Sequence, residues 1–432
     1  MDNIYITIYV ALWGICLIIH FFKVKSITAG GVLLISYFLY AISSYLLYND
    51  DYYGRYYEGL SLFSFLILFC MLYIISNPIL VYSKQKIDRI QRPSLYLINI
   101  FCWIYIVMSF LSLPDIISNI NVISLLVTSS DAGADLYSSN VSDTVYTASS
   151  MGSGISSFPS LYRNFFSRII VLFLFYHLTL SPINKKVVFG LCISIIIYIL
   201  GYLLTGQRGG SFKMIVTCII TFFALKQFIP VSVKKKIILI CSVGLILLCI
   251  PYYYLTSSRF SDNLSGNGIA SSLYSYIGQG NLNFNLYALD NNGIRYGDRV
   301  IPIFKKAIGI DNVPNNFWER RWKYNKLKIN DESFITFVGD FFLDFGPILA
   351  ILILCTISLI IRQKTHVKKR IILFHQLILI QFLMCLCMEG GMSLYSYADS
   401  SNMVILVYLF MYYLFKTDYL RNHKLYPRIN SN

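Results

Sequence analysis

Charge is scarce in this sequence: Asp, Glu, Lys and Arg together make up 13% of its 432 residues, about half the share found in a soluble globular domain. With 56% hydrophobic residues and a mean hydropathy of +0.61, that shortage excludes both a water-solvated single core and a disordered linker. Histidine is rarer still. His20, His177, His366, His375 and His423 all map to one side of the membrane layout derived below, or to the half of a span nearest it. Chemistry on the opposite side must then proceed without a histidine base, a histidine-ligated zinc or a Ser–His pair. Cysteine is missing from the long loops, because all ten lie within apolar runs; they read as small packing residues, not as disulfides or metal ligands. No internal repeat emerges and charges inside the spans are few, which argues against an inverted-repeat transporter.

What the sequence has in abundance is apolar runs of spanning length. Eleven are expected: Ile4 to Phe22, Ile27 to Tyr48, Gly59 to Tyr82, Leu95 to Leu113, Phe165 to Leu180, Val187 to Leu204, Ser211 to Ile229, Ile237 to Leu255, Ser333 to Ile361, Ile371 to Met388 and Asn402 to Phe415. The fold class is therefore an all-α polytopic membrane protein. Counting Lys and Arg in alternate connections, without the one very long loop, gives 20 against 3, and bases just within span ends, Lys226 in the first class and Arg168 and Lys213 in the second, make it 21 against 5. That bias sets the first class of loops inside, the N-terminus outside and the C-terminus inside. Asp2 before the first span, with no basic stretch preceding it, fits an outside start better than a cleaved signal peptide. The net charge of +15 is then mostly a topology signal, so nucleic acid is not an expected partner.

Two outside segments exceed a short connection. One, Pro114 to Asn164, contains a Ser, Thr and Gly-rich stretch at Ser138 to Ser157 that reads as a mobile flap. The other, Thr256 to Glu332, has an ordinary soluble composition. The chain thus divides into residues 1–255 with the first eight spans, 256–332 as the large loop, and 333–432 with the last three spans and a tail.

The remaining outside chemistry is arginine, carboxylate and aromatic, a set suited to phosphorylated sugars. Thr205-Gly206-Gln207-Arg208-Gly209-Gly210 lies between two apolar spans, where glycines permit a tight turn and Arg208 at a helix start presents a planar fork to phosphate oxygens. An interfacial arginine beside a plain hairpin is an equally open reading. Gly293 to Arg299 places Arg295 and Arg299 four apart, on one face if helical, and Arg259 follows the eighth span near the same mouth. Together these four arginines are expected to surround a diphosphate. Trp318 and Trp322, amid the bases of Asn315 to Asn330, suggest a basic amphipathic helix in the headgroup plane. Asp340 and Asp344 share a helix face in the outer part of the ninth span and are candidate proton acceptors, set against the reading of helix-start acids. Glu389-Gly390-Gly391 is a third candidate, its glycines suggesting a helix break beside a cavity.

In its multi-span layout, the Thr205 to Gly209 turn, the late outside loop with Gly293 to Arg299 and the Asp344-Phe345-Gly346 sequence, the chain resembles the O-antigen repeat-unit polymerases (the Wzy family) of bacterial surface polysaccharide assembly. The resemblance implies a GT-C-like helical fold in the bacterial inner membrane that joins undecaprenyl-diphosphate-linked oligosaccharides on the periplasmic face, without metal or cofactor. It also implies membrane lipid, a chain-length regulator and a flippase as partners, and makes Arg208 the match for the family's functional arginine. The related O-antigen ligases are expected to use an outside histidine, which this chain lacks. The expected mechanism is an inverting displacement in which Arg208, aided by Arg259, Arg295 or Arg299, stabilises the departing lipid diphosphate while Asp340, Asp344 or Glu389 takes the acceptor proton. The rival readings are a lipid-linked oligosaccharide flippase, which requires charge inside the bundle and repeat symmetry, and a structural copolymerase-type protein, which requires no arginine constellation.

Overall fold

The computed structural model describes residues 1–117, 158–204, 208–242, 244, 268–329, 331, 333–367 and 369–425. The Ser138 to Ser157 stretch, Arg259 and the second half of the expected eighth span lie outside the described residues. The main helices are α1 (Asp2–Val24), α2 (Ala29–Tyr48), α3 (Leu62–Lys84), α4 (Leu95–Leu111), α5 (Phe158–His177), α6 (Lys185–Leu204), α7 (Arg208–Leu225), α8 (Gly268–Tyr287), α9 (Phe317–Lys323), α10 (Thr336–Phe345), α11 (Pro347–Lys364), α12 (Phe374–Met392) and α13 (Asn402–Leu425). Nine of the described helices are long and apolar enough to cross a bilayer, and Leu95–Leu111 is a shorter apolar helix. The protein is a nearly all-α, multi-pass membrane protein.

The local rules that start and stop these helices are visible at the first hairpin. Lys25 adopts a left-handed conformation (φ 52°) that closes α1, and the Thr28 hydroxyl caps α2 by accepting from Gly31 N. A link of four residues therefore suffices to reverse the chain.

The bundle is arranged around α12, in which 17 of 19 residues are buried and which packs against α2, α3, α7, α10 and α13. A helix apolar on every side belongs at the centre of a bundle. By contrast, α11 leaves Ile348, Leu349, Leu352, Leu359 and Ile360 exposed, the pattern of a helix facing lipid.

Contacts between connections fix which ends coincide. Strand β1 (Arg89–Gln91) pairs in parallel with β2 (Ile371–Leu373), so the α3–α4 and α11–α12 connections lie at one end. Ser94 N donates to Asp418 near the close of α13 at that same end. At the other end, the Asp2 carboxylate accepts from Gly59 N and Leu60 N, Ser61 exchanges hydrogen bonds with Asn285, and Asn283 donates to Phe334 O. The start of the chain and the loop beyond α8 thus share the end opposite the close of α13.

Several sequence expectations change here. The run Ser333 to Ile361 is not one helix: Gly346, at φ 75° and ψ 162°, breaks it, and Pro347 starts α11 at a position where its missing N–H costs nothing. The residues before the break form α10, nearly all buried against the bundle. The segment 256–332 is not wholly a loop, since α8 packs along α2, with Ser44 Oγ donating to Gly278 O at 2.8 Å and Asn281 donating to Ser44 Oγ. Gly278 allows this approach, because a Cβ there would lie 2.6 Å from the Ser43 backbone. The tryptophan-bearing helix is one short segment, α9, whose Arg320 is buried in the protein while Trp322 is exposed. Gly390 and Gly391 do not break α12, which continues to Met392. Instead they admit neighbours: a Cβ on Gly390 would lie 2.7 Å from Phe337, and one on Gly391 2.5 Å from Tyr37.

Gly390→Val is therefore expected to destabilise by about 1–3 kcal/mol through overpacking against Phe337. The check is a lower unfolding midpoint in detergent, beside Gly209→Val, where the same added side chain meets open space.

Candidate functional site

Two charged centres converge at the end of the bundle that carries the loop beyond α8. The first lies in the loop itself. Residues Gly293 to Arg299 form a turn and not a helix, with Tyr296 (φ 54°) and Gly297 (φ 82°) in left-handed conformations that point both arginines inward. Arg295 Nε donates to Asp344 Oδ1 at 2.6 Å, its Nη2 to Asp340 Oδ1 at 3.0 Å, and its Nη1 to Asp331. Arg299 lies within ion-pair distance of Asp331 and Asp340, and Arg320 bridges Asp331 to Asp399. The backbone completes the set: Arg299 N and Val300 N donate to Asp344 Oδ2, and Tyr395 N to Asp340 Oδ2.

This geometry gives the predicted residues different standing. Asp340 and Asp344 are fully buried, and both oxygens of each already accept hydrogen bonds, so both carboxylates are committed to the cluster and turned away from solvent. Arg295, 2% exposed, directs its guanidinium at three carboxylates and not at an open mouth. These residues fasten the loop to α10. Outside the bundle proper, burial alone would raise the Asp331 carboxyl, but the charges of Arg299, Arg295 and Arg320 outweigh it and hold Asp331 well below the usual carboxylate range. Asp298 behaves likewise: burial opposes ionisation, and hydrogen bonds from Lys305, Lys323 and Tyr324 overcome it.

The second centre lies between helices. Arg168, at the middle of α5, donates from Nη2 to Glu389 Oε2 at 2.6 Å, and Glu389 stands on α12 three residues before that helix ends. The Arg168 guanidinium also sits over the Tyr397 ring, 4.6 Å from its centroid. The pair is positioned by a polar crossing of the core: Gln381 Nε2 donates to Arg168 O and Thr221 Oγ1, each at 2.9 Å, while Tyr408 OH donates to Gln381 Oε1. Glu389 Oε1 and Arg168 Nη1 are buried with no hydrogen-bond partner among the described residues. Lys213, on the second turn of α7, is within electrostatic reach of Glu389, Arg168 and Arg299, and its ammonium makes no ion pair among the described residues. It is therefore within electrostatic reach of both centres.

Arg208 is the first residue of α7, so its backbone lies one to two turns from Lys213; its side chain and Arg259 are outside the described residues. Of the predicted set, the structure gathers Arg295 and Arg299 with Asp340, and Arg295 with Asp344, whereas Glu389 pairs with Arg168 in the second centre. Arg168 and Lys213 had counted only as bases that orient the spans. The signal that finds them is available in the sequence: a base inside an apolar helix requires an acid, and Glu389 is the one acid in α12. Among the described residues no group of His, Cys, Asp and Glu is arranged to hold a metal ion. Comparison with protein-family models, with curated proteins and with solved structures finds no match.

Removing the shared carboxylate in Asp331→Ala is expected to cost about 3–5 kcal/mol, because three buried arginines lose their common acceptor. The depressed value of Asp331 sets the sign with pH: its stabilisation is complete above the unfolded carboxylate value of about 3.9 and is lost as pH falls through the lower folded value. The unfolding midpoint in detergent should therefore be flat in this contribution from about pH 5 upward, fall only at more acid pH, and be lower throughout in the variant.

Proposed function

We propose that the protein is a membrane glycosyltransferase that joins lipid-diphosphate-linked oligosaccharide repeat units, acting at the Arg168–Lys213–Glu389 centre. The observation that carries this reading is a carboxylate with one oxygen held by an arginine at 2.6 Å and the other unengaged, beside an ammonium with no ion pair among the described residues. Such a site can both take a proton and hold an anion. In the proposed step, the bond between the donor's anomeric carbon and its diphosphate oxygen breaks while the acceptor hydroxyl oxygen bonds that carbon from the opposite face. Glu389 Oε1 receives the hydroxyl proton, and the negative charge left on the diphosphate falls to Lys213, Arg168 Nη1 and Arg208 at the start of the same helix as Lys213. The arginine–aspartate cluster of the loop stays intact and covers the site, and Arg299 adds positive potential without leaving Asp331. The outward end of the bundle in this reading is the one holding Asp2 and Glu389, as the basic loops at the other end require. The resemblance to repeat-unit polymerases points to the same substrates.

One observation favours a second reading. An ion pair in the middle of a bundle also marks transporters, and the Arg168–Glu389 pair is the internal charge that a lipid-linked oligosaccharide flippase requires. The two readings separate in one preparation: purified protein in liposomes with a single undecaprenyl-diphosphate-linked repeat unit. A glycosyltransferase yields a ladder of products and free lipid diphosphate, and Glu389→Gln should slow it by about 10²–10⁴-fold, the usual contribution of a general base. Movement of the unit across the membrane with no ladder favours the flippase, and an unchanged ladder rate in Glu389→Gln removes that residue from the chemistry.

A further inference from the structure

Five arginines are at least nine-tenths buried among the described residues: Arg163, Arg168, Arg295, Arg299 and Arg320. Four of them pair with carboxylates. Arg163 pairs with none among the described residues. It stands on α5, 7% exposed, on a different side of the helix from Arg168, and its one hydrogen bond among the described residues is from Nη1 to Ser112 Oγ at 2.8 Å. Ser112 is itself fixed as an acceptor, since its proton goes to Ser109 O. A neutral hydroxyl does not balance a guanidinium removed from water, and the Tyr198 ring, 5.9 Å away, compensates only weakly.

The surroundings hold further unused donors. Arg163 Nε and the hydroxyls of Tyr105 and Tyr162 are all buried without a hydrogen-bond partner among the described residues. Tyr105 on α4 lies within electrostatic reach of both Arg163 and Tyr162 on α5, and the Tyr198 ring of α6 lies against the guanidinium, so these groups neighbour one another between α4, α5 and α6. Gly201 on α6 lies beside the guanidinium, where a Cβ would stand 3.4 Å from Arg163 Nη2. A forked cation with two hydroxyl donors matches an oxyanion that has three or more acceptor oxygens. Arg163 is five residues into α5, roughly 8 Å along the helix axis from its start, a depth that a lipid phosphate reaches.

We infer that Arg163, with Tyr105 and Tyr162, forms a phosphate-binding subsite for a membrane lipid headgroup or a free phosphate, separate from the Glu389 centre. The inference stands whether or not the proposed glycosyl transfer is correct. It is tested by native mass spectrometry of the full chain released from nanodiscs, with dioleoyl phosphatidic acid as the lipid probe and inorganic pyrophosphate as competitor. Wild type should retain one phosphatidic acid per chain. Arg163→Gln should lose it by about tenfold in affinity, with Arg163→Lys and Tyr162→Phe intermediate. Displacement by pyrophosphate would identify a free phosphate as sufficient, and resistance to it the lipid as the occupant. Equal lipid retention in Arg163→Gln and wild type, both with the wild-type unfolding midpoint, would overturn the site. If Arg163→Gln does not fold, Tyr162→Phe decides, and unchanged retention in it overturns the site in the same way.

Discussion

The arrangement of the bundle rests on one ion pair, Arg168 with Glu389. Neither charge is tolerable alone between apolar helices, where desolvating an ion costs several kcal/mol even after relaxation. Pairing them sets α5 against α12 at a defined height, and Gln381, bonded to the Arg168 carbonyl and to Thr221, extends the constraint to α7. The most buried helix of the protein therefore carries a fixed charge at a fixed place. Among the described residues the pair leaves one carboxylate oxygen and one guanidinium nitrogen without a partner, and the proposed chemistry rests on that surplus.

The loop beyond α8 uses the same physics for another end. Arg295, Arg299 and Arg320 are divided among Asp331, Asp340, Asp344 and Asp399, which come from the loop, α10 and the connection after α12. A segment of ordinary soluble composition is thereby fastened to α10 and to the connection after α12. Lys213 lies within electrostatic reach of both charged centres. In the proposed reading the loop covers the site and excludes water from a carboxylate that must accept a proton.

Much of this was legible in the residues. Apolar runs with few charges announced the helices, and the placing of basic loops agrees with the pairing of β1 and β2, which brings two of those loops to one end. Less legible was anything that depends on partners distant in sequence. Arg295 and Arg299 looked like ligand-facing cations because their aspartates are 32 to 49 residues away, and the same distance hid that Asp340 and Asp344 are engaged. Gly390 and Gly391 looked like a break because a glycine that admits a neighbouring helix and a glycine that ends one are the same letter. Arg168 was readable, since an arginine in the middle of an apolar helix demands an acid, but a count of bases for topology absorbs it. The helix α8 was missed for a composition reason: its Asn281, Asn283 and Asn285 bind other parts of the bundle, and so lower its hydropathy while fastening it.

The central claim is that Arg168–Glu389 both organises the bundle and supplies its chemistry, and a charge swap tests it most directly. The unfolding midpoint and the polymerisation rate would be measured for Arg168→Glu, Glu389→Arg and the double swap. Each single change buries two like charges and should destabilise strongly, whereas the double swap restores an ion pair and should recover most of the midpoint. It should not recover activity, because the carboxylate then stands on α5, away from the position it holds on α12. Single swaps that fold as wild type, or a double swap that polymerises at the wild-type rate, would contradict the account.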